Sequence, residues 1–436
     1  MLFFNLRDVS RETILSAQGR MFHVKHCGGT VDFPAGLWQT EREEREGRYM
    51  RMTALRLRDF RGYGQVMLAP PEGVTVLVGE NGAGKTNLLE AVHLCCLGRS
   101  HRTSNDKEMI RRGQETAAVQ LTVERRDGRH EVGVRLFENA RRRKVVYVNG
   151  KTASRLGELM GHATCVIFSP EDLALVKEGP QARRRFLDML LSQLQKAYFY
   201  ALQTYMTALK QRNALLKQGD IRSLSAWDEQ LAAAAAPVVR LRRTACEQLH
   251  KRAATHYRYI GGREEESFAL RYQSALAQSE HVEQDMLSGL HACREEDLRR
   301  QTTCFGPHRD DIDLTLCGES IKAFGSQGQM RTAALSMKLA AFDLLEANQG
   351  EPPLLLLDDV LSELDPDRRR RLIARIGRAQ ALLTCTDQAD FIGARPACVL
   401  RVENGSIREC EGDPAPAAED DTKEDGAGDF FSPLNP

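Results

Sequence analysis

The sequence contains no apolar run that approaches the length of a membrane-spanning helix, which excludes a protein anchored by such helices. Its eleven cysteines form no C-x-x-C pair, and the closest couple, Cys95 and Cys96, lies inside a predicted helix. This spacing argues against a disulfide framework and a zinc site, and it predicts reduced thiols in a cytosolic protein. Neither a signal peptide nor an obvious transit peptide is visible. We therefore predict a cytoplasmic protein with no membrane partner.

The chain of 436 residues also lacks a strong overall charge, with a formal net charge of +1, but that charge is unevenly distributed. Residues 411–436 hold eight acidic side chains and a single lysine, and their Pro-, Ala-, Asp- and Glu-rich composition predicts an acidic disordered tail. The body of the chain is correspondingly basic, which is compatible with nucleic acid binding. The tail ends in the apolar residues 430–434, for which docking on a partner and an unstructured terminus both remain open.

Residues 1–49 show little periodicity and are predicted to be a non-native or disordered extension. Residues 9–13 and 22–26 can both be encoded by one palindrome, GTTTCACGTGAAAC, read in two frames. That palindrome resembles the partition sites of bacterial chromosomes. The hypothesis that follows is translation of intergenic DNA, with the native start at Met50 or Met52.

A glycine-rich segment carries the strongest chemical signal of the chain. It reads G-x-x-x-x-G-K-T and consists of Gly79, Glu80, Asn81, Gly82, Ala83, Gly84, Lys85 and Thr86. Residues 74–78 predict a buried strand before it, and residues 87–96 predict a helix after it. In such a context backbone N–H groups surround the phosphates, the lysine reaches the β- and γ-phosphates, and the threonine holds Mg²⁺. These residues and the adjoining Asn87 are therefore predicted to bind a nucleoside triphosphate with Mg²⁺.

A second part of the site follows the wholly apolar residues 354–357, which predict a strand buried on both faces. Asp358 comes directly after this strand and is predicted to bind Mg²⁺ across from Thr86. Asp359 is predicted to polarise the attacking water, and with Lys85 it forms the predicted catalytic pair. Taken alone, the pattern is equally typical of a buried strand that merely ends in an acidic residue.

The third part is an S-x-G-Q sequence at the start of a helix predicted over residues 327–345. It consists of Ser326, Gln327, Gly328 and Gln329. It resembles the signature of ATP-binding-cassette (ABC) proteins, in which the serine and glycine contact the γ-phosphate held by the other protomer. A helix N-terminus supplies N–H donors and a positive dipole to an anion. A serine followed three residues later by glutamine is also a capping box, so a purely structural role is the alternative.

The order of the remaining patterns predicts the domain organisation. Strands are predicted over residues 118–123, 131–136, 145–148, 164–168, 311–316, 381–384 and 399–402. From residue 181 to about 300 the chain is rich in helical patterns without a sustained heptad. We therefore predict an α/β, ABC-type P-loop ATPase domain in two parts, residues 50–179 and 301–410. Residues 180–300 are predicted to form a compact helical lobe inserted between them.

Further motifs bring the chain close to a known family. They are FSPEDL at 168–173, RRRFLD at 183–188, KQRN at 210–213, WDEQL at 227–231, GPHRDD at 306–311, the run 324–332 and LSELD at 361–365. Together with the glycine-rich loop, they resemble the bacterial RecF family over residues 52–408. That family is a short relative of the Rad50 and SMC heads, with a helical lobe where those proteins carry coiled coils.

The resemblance implies a homodimer closed around two ATP molecules, with Asp365 crossing the interface at the D-loop position. It also implies ATP-dependent binding of DNA, single- or double-stranded, at single-strand gaps. The partners implied are RecO, RecR and, indirectly, RecA, in recombinational repair and the SOS response. Asp359 stands where transporter ATPases usually carry glutamate, and its shorter carboxylate is consistent with slow ATP hydrolysis.

The alternative function is the ATPase subunit of a membrane transporter. That class predicts a switch histidine and a Q-loop glutamine, but residues 383–387 contain no histidine, and the residue directly before Pro170 is Ser169, not glutamine. An SMC-like tether would need long coiled coils, for which the inserted lobe is too short. Candidate DNA contacts are the basic residues 141–144, 183–185 and 368–371, although solvated surfaces or internal ion pairs explain them equally well. His308 is either a nucleotide contact or part of a structural turn.

Overall fold

The computed structural model describes residues 50–139, 143–220, 222–377, 379–386, 396–403 and 405–409. The predictions for the N-terminal extension, the acidic tail, Arg141, Arg142 and Asp387 lie outside these residues. The strands are β1 (Arg51–Phe60), β2 (Tyr63–Leu68), β3 (Val74–Val78), β4 (Thr116–Arg125), β5 (Gly128–Phe137), β6 (Lys144–Val148), β7 (Lys151–Thr152), β8 (Cys165–Phe168), β9 (Phe268–Gln273), β10 (Asp311–Leu316), β11 (Glu319–Ser320), β12 (Leu354–Asp358), β13 (Ala381–Cys385), β14 (Cys398–Glu403) and β15 (Ser406–Glu409).

The α-helices of the same residues are α1 (Lys85–Leu97), α2 (Ala174–Lys177), α3 (Pro180–Leu194), α4 (Lys196–Gln218), α5 (Leu224–Gly261), α6 (Val282–Ala292), α7 (Arg294–Arg300), α8 (Ile321–Phe324), α9 (Gln327–Gln349) and α10 (Pro366–Ile376). Short 3₁₀ turns occur at Asp106–Met109, Leu156–Leu159, Pro170–Leu173, Pro307–Arg309 and Leu361–Glu363. Each predicted strand and both predicted helices flanking the nucleotide motifs are present. In the part of the chain that the structure describes, every helix is too short or too polar to cross a membrane.

Two six-stranded sheets form the ATPase part of the described chain. One is antiparallel, in the order β2-β1-β4-β5-β6-β7. The other has the order β15-β14-β3-β13-β12-β8, and all its pairs are parallel except β14 with β15. Ligands of open parallel sheets bind beyond the carboxyl ends of the strands, and this is where β3 delivers the glycine-rich segment.

Strands β3, β8, β12 and β13 of the parallel sheet are mainly apolar because both of their faces are covered. Along β12, Leu354 and Leu356 belong to one hydrophobic core, whereas Leu355 and Leu357 belong to a second core on the opposite face. Successive side chains of a strand point to opposite faces, so a run of four leucines supplies both cores. Every residue of β12 is buried, which confirms the predicted two-sided burial.

Helix α1 lies between the two sheets. It contacts β4 and β5 of the antiparallel sheet and β8, β12 and β13 of the parallel sheet. A helix covered in this way has no solvent-exposed face, and its residues from Leu88 to Leu97 are buried without exception. The phosphate-binding segment is therefore followed by a helix that is fixed on several sides.

Helices α3 to α7 occupy residues 180–300, the segment predicted to form a helical lobe, and this segment, called the lobe below, also contains a strand. Strand β9 pairs antiparallel with β10, and β10 pairs with β11 in a three-stranded sheet. The sequence prediction of a helical lobe ending near residue 300 missed this element. Its burial alternates, but β9 depends on β10 for its hydrogen bonds, and β10 follows about 40 residues later in the chain.

Several of the family-like motifs form buried ion pairs within this lobe. The Arg212 guanidinium, with no exposed surface, lies 2.6 Å from Asp228 and 2.6 Å from Asp297. Its Nη1 also donates to the hydroxyl of Thr303 at 2.9 Å, and that hydroxyl donates to Asn213. The KQRN and WDEQL motifs therefore contribute to a buried network that joins α4, α5, α7 and the loop at Thr303. Each buried charge in this network is compensated by an oppositely charged side chain.

Candidate nucleotide-binding site

The glycine-rich segment connects β3 to α1, as predicted. Gly82 and Gly84 have φ values of 84° and 109°, which non-glycine residues rarely adopt. A Cβ added at Gly79 would lie 2.3 Å from the carbonyl oxygen of Val402 in β14. Backbone shape and close packing thus both require glycine at these positions. The outer part of the segment, including Glu80 and Asn81, is exposed and accessible to a ligand.

Lys85 begins α1 and its side chain is buried. Its Nζ donates to the carbonyl oxygens of Gly79 and Glu80 at 2.5 and 2.9 Å, which holds the ammonium group within the turn of the loop. Burial lowers the pKa of Lys85, and the nearby carboxylates of Asp359 and Asp358 oppose this effect. The geometry places a cation where the predicted phosphates would lie.

The Thr86 hydroxyl donates a hydrogen bond of 2.8 Å to Oδ1 of Asp358, although 272 residues separate the two in the chain. Burial raises the pKa of the Asp358 carboxyl. A hydroxyl and a carboxylate at this distance are hard oxygen donors of the kind that Mg²⁺ prefers, so the two residues fit the ion that the sequence predicts. The structure therefore brings together the phosphate loop and the predicted metal ligand.

Thr384 is a member of this site that sequence reasoning missed. It pairs directly with Asp358 across the neighbouring strands β12 and β13. Its hydroxyl donates to Asp358 Oδ1 at 2.9 Å and accepts the backbone N–H of Asp359, also at 2.9 Å. One buried threonine therefore positions both acidic residues. The only sequence signal was a polar residue near the end of an apolar strand.

Asp359 lies immediately beyond β12 with a positive φ of 52°. Aspartate tolerates this left-handed conformation because its short side chain can hydrogen-bond locally. Here the Ser362 hydroxyl donates to the carbonyl oxygen of Asp359 at 2.8 Å and to its Oδ1 at 3.2 Å. The carboxylate is partly exposed beside Lys85, in a position that suits the predicted role in water activation.

Tyr63 is a second residue of this site, after Thr384, that could not be predicted from the sequence. Its hydroxyl donates to the carbonyl oxygen of Gly84 at 3.0 Å, and a Cβ added at Gly84 would lie 2.9 Å from that hydroxyl. The ring is completely buried below the loop. Strand β2 thus supports the loop from the antiparallel sheet.

A charge network fixes the other side of α1. Glu90, fully buried in α1, accepts two hydrogen bonds from Arg61 at 2.7 and 2.8 Å and a third from the Ser100 hydroxyl. Arg102 extends from the same loop and donates to the Asn87 side chain at 3.2 Å. These residues hold the first turns of α1, including the predicted nucleotide contact Asn87.

The S-x-G-Q residues form the capping box that was the structural alternative. The backbone N–H of Ser326 donates to the Gln329 side chain at 2.8 Å, and the N–H of Gln329 donates to the Ser326 hydroxyl at 3.3 Å. The Gln329 side chain also bonds Glu266 at 3.0 Å. Ser326 and Gln327 are nevertheless exposed, so the N-terminus of the long helix α9 is open to solvent. Capping and phosphate binding are compatible because both use this same helix end.

Asp365 caps α10. Its carboxylate accepts the backbone N–H of Arg368 at 3.0 Å and the Arg368 side chain at 2.8 Å, and the backbone bond is the main cause of its lowered pKa. The predicted role of Asp365 in a dimer interface remains a prediction, and the structure adds a local role.

The basic clusters proposed for DNA binding are largely engaged in internal bonds. Arg183 forms a bidentate pair with Asp311, Arg184 donates to the Asp310 carbonyl, and Arg185 donates to two carbonyls of the loop after α1. In the third cluster Arg369 and Arg371 also donate to backbone carbonyls, whereas Arg370 is exposed and paired only with Asp367. Lys144 is paired with Asp106, and Arg143 is exposed. Of these described arginines and lysines, Arg143, Arg185 and Arg370 are exposed, and they are the remaining candidates on the described surface.

His308 belongs to a structural turn. Its Nδ1 accepts the Tyr205 hydroxyl at 2.6 Å, and its Nε2 donates to the carbonyl oxygen of Thr303 at 2.9 Å. Burial lowers the pKa of His308 to about 4, so the imidazole is neutral near pH 7. Both nitrogens are satisfied by Tyr205 and Thr303, which favours the structural alternative over a nucleotide contact.

Comparison with known proteins identifies one family. The family model described as RecF/RecN/SMC N terminal domain matches residues 51–406. The DNA replication and repair protein RecF of Symbiobacterium thermophilum is 40% identical over 352 residues, which cover 79% of this chain and 93% of that protein. The protein of the same name from Halothermothrix orenii is 40% identical over 368 residues, which cover 80% of this chain and 96% of the relative.

Solved structures agree with these sequence similarities. A structure of the recombination mediator protein RecF-ATPrS in the RecFOR pathway matches with a TM-score of 0.78 and 32% identity, over 84% of this chain and 99% of that chain. A second, of RecF-ATP, matches with a TM-score of 0.77 and 33% identity, over 83% and 98% of the two chains. These similarities confirm the predicted ABC-type fold.

Proposed function

This chain belongs to the RecF family of DNA replication and repair proteins, and from this premise we propose that it is an ATP-driven DNA clamp of recombinational repair. In this proposal it acts with RecO and RecR at single-strand gaps, helps to load RecA, supports the SOS response and hydrolyses ATP slowly. The relatives described as DNA replication and repair proteins, and as a mediator in the RecFOR pathway, support these roles. Membership of this family decides against the transporter ATPase that was the alternative.

The observation that carries the proposal is the separation of the ATP machinery into two surfaces. Thr86 and Asp358 are joined by one hydrogen bond at the loop, whereas Ser326 lies exposed at the N-terminus of α9. The side chains of the signature bond within their capping box and to Glu266, not to the loop, in the residues that the structure describes. A second copy of the chain would bring its own signature to this loop, and twofold symmetry would form two such sites.

The γ-phosphate then decides between two states of the protein. Present, it is held by Lys85 on one protomer and by the N-terminus of α9 on the other, so it favours the closed dimer. After hydrolysis the γ-phosphate no longer links the two protomers, so the closed dimer loses this stabilisation and opens. Mg²⁺ held by Thr86 and Asp358 would neutralise charge on the phosphates. The cycle is therefore a switch for binding, in which slow hydrolysis sets the lifetime of the closed state.

DNA binding in this proposal occurs across the closed pair through lysine and arginine contacts to phosphates. Such contacts release counterions, so affinity falls with rising salt and shows little dependence on base sequence. The basic body of the chain supports this mode of binding.

Replacing Asp359 with asparagine tests the role of hydrolysis. Asparagine has the same size and also tolerates the left-handed conformation, so the fold should persist. Loss of the water-activating carboxylate is expected to slow ATP hydrolysis about 100-fold or more. Dimers formed with ATP and Mg²⁺ on gapped DNA should then persist longer than those of the wild type. Phosphate release and sedimentation velocity measure the two effects.

The matched control is Asp313→Asn, a change of the same chemistry at an exposed position of β10. It should hydrolyse ATP at the wild-type rate. An Asp359→Asn variant that also hydrolyses ATP at the wild-type rate would show that Asp359 is not the residue that activates water. Wild-type protein that binds gapped DNA equally with and without ATP would contradict the proposed clamp.

A further inference from the structure

An exposed aromatic ring lies two residues before the signature. Phe324 ends the short helix α8, and 75% of its surface is accessible. The described residues expose four large apolar side chains, and Phe324 is the most accessible of them. The other three are Met67, Met206 and Tyr259. Its position beside Ser326, more than the exposure itself, calls for an explanation.

The backbone holds Phe324 in a fixed place. Ile321, one turn earlier, is buried, and the N–H of Gly325 donates to the Ile321 carbonyl at 2.9 Å. A Cβ added at Gly325 would lie 2.5 Å from that same oxygen, so the turn between Phe324 and Ser326 requires glycine. The ring is therefore presented by an ordered turn next to the α9 N-terminus, which reduces the entropy lost when it makes a contact.

The phosphate loop, in contrast, exposes no aromatic ring of its own. Phe60 and Tyr63, which flank the turn between β1 and β2, are both completely buried. None of the four exposed apolar side chains of the described chain belongs to β3, the loop or α1. The elements that form this loop therefore offer the base of a bound nucleotide no strongly exposed aromatic ring among the described residues.

We propose that Phe324 stacks on the adenine of the ATP held by the partner protomer, and this inference rests on the dimer of the proposed function. Gly325 and Ser326 are in extended conformations, and two extended residues span up to about 7 Å. If Ser326 contacts the γ-phosphate, Phe324 lies up to these two residues away from that phosphate. Its side chain would then extend toward the base of the same nucleotide. Aromatic rings stack on the faces of bases, so the Phe324 ring of each protomer would stack on the base held by the loop of the other.

The consequence is that the base, and not only the phosphates, contributes to closing the dimer. A triphosphate without a base would still be held by the loop and by Ser326, but it would lose both stacking contacts. Phe324 would then determine how strongly the closed state depends on the nucleobase.

The test measures the dimer dissociation constant of the full chain by sedimentation equilibrium with Mg²⁺ and either ATP or ribose 5′-triphosphate. One stacked base contributes about tenfold, so loss of two in a symmetric dimer should weaken ATP-dependent dimerisation roughly 100-fold in Phe324→Ala. With ribose 5′-triphosphate, Phe324→Ala and wild type should dimerise equally. Phe324→Trp should restore the preference for ATP, and Met206→Ala, at an exposed site in the lobe, should behave as wild type.

The outcomes separate this inference from the proposed function. Wild type that forms no dimer with ATP contradicts the proposed function and, with it, the stacking contact. Wild type that dimerises while Phe324→Ala does so equally well overturns the stacking contact alone. A Phe324→Ala variant that is weakened to the same extent with both triphosphates also overturns it, because the ring would then contact protein and not the base.

Discussion

Replacing Lys85 with alanine is expected to abolish ATP-dependent dimerisation. The Lys85 ammonium lies 2.5 Å from the Gly79 carbonyl oxygen and is buried within the loop, where the predicted phosphates would lie. Loss of charge-assisted hydrogen bonds to two phosphates is expected to cost on the order of 3 kcal/mol, or more than 100-fold in ATP affinity. Because two nucleotides close one dimer in the proposed mechanism, the effect on dimerisation should be larger than the effect on binding.

Equilibrium binding of ATP and sedimentation with ATP and Mg²⁺ measure these two effects. Lys251→Ala, at an exposed position of α5, is the matched control and should match the wild type in both experiments. The thermal unfolding temperature of Lys85→Ala should change little, since the side-chain hydrogen bonds that are lost go to two backbone carbonyls, those of Gly79 and Glu80. ATP binding and dimerisation at wild-type levels in Lys85→Ala would show that the loop is not the nucleotide site.

Replacing Arg212 with methionine is expected to produce the largest loss of stability. The Arg212 side chain is inaccessible and lies between two carboxylates, Asp228 and Asp297, which are themselves fully buried. Without it, Asp297 loses its ion pair, and Asp228 keeps only Arg294 at 3.1 Å. Removing one partner from a buried network of this kind costs about 3–5 kcal/mol. A lower thermal unfolding temperature and a lower denaturant midpoint should report the loss.

The control for this change is Arg370→Met, which removes an exposed arginine paired with Asp367. Exposed pairs contribute at most about 1 kcal/mol, so the free energy of unfolding should change little. A triple replacement, Arg212→Met with Asp228→Leu and Asp297→Leu, should recover much of the lost stability because no fully buried charge remains, and Arg294, which loses Asp228, is 33% exposed and can turn to solvent. Equal stability of Arg212→Met and the wild type would contradict this account of the KQRN and WDEQL motifs.

The parts of the site that the sequence predicts best are those encoded by neighbouring residues. The loop from Gly79 to Thr86 needs only a strand before it and a helix after it, and the run 354–357 followed by Asp358 is just as local. The two motifs together predict that Asp358 lies beside the loop, and the hydrogen bond from Thr86 to Asp358 confirms this proximity. Local patterns succeed here because phosphate binding depends mainly on backbone shape at one helix N-terminus.

The supporting residues could not be predicted because they depend on strand order. Thr384 reaches both acidic residues only because β13 lies between β3 and β12 in the sheet. Tyr63 meets Gly84 only because α1 packs against the antiparallel sheet that contains β2. Neither neighbour relation follows from periodicity in a single sequence. The same limitation explains the missed strand β9, whose partner lies beyond two helices.

The signature illustrates a different limit. Ser326 and Gln329 satisfy the capping-box pattern and the ABC signature pattern with the same atoms, and the structure contains the capping box. A single protomer cannot distinguish a cap from a phosphate contact that is completed by another copy. The decision requires a measurement on two copies.

The most direct test of the central claim mixes two inactive variants. Lys85→Ala lacks a working loop but keeps its signature, whereas Ser326→Arg keeps its loop but blocks the N-terminus of α9. Each variant alone should remain monomeric with ATP and Mg²⁺ in sedimentation. In the mixture, the intact loop of one variant meets the intact signature of the other, so a heterodimer with one complete site should form only when ATP is present. If the mixture stays monomeric under conditions in which the wild type dimerises, or if Ser326→Arg alone dimerises as the wild type does, the composite site does not exist as described.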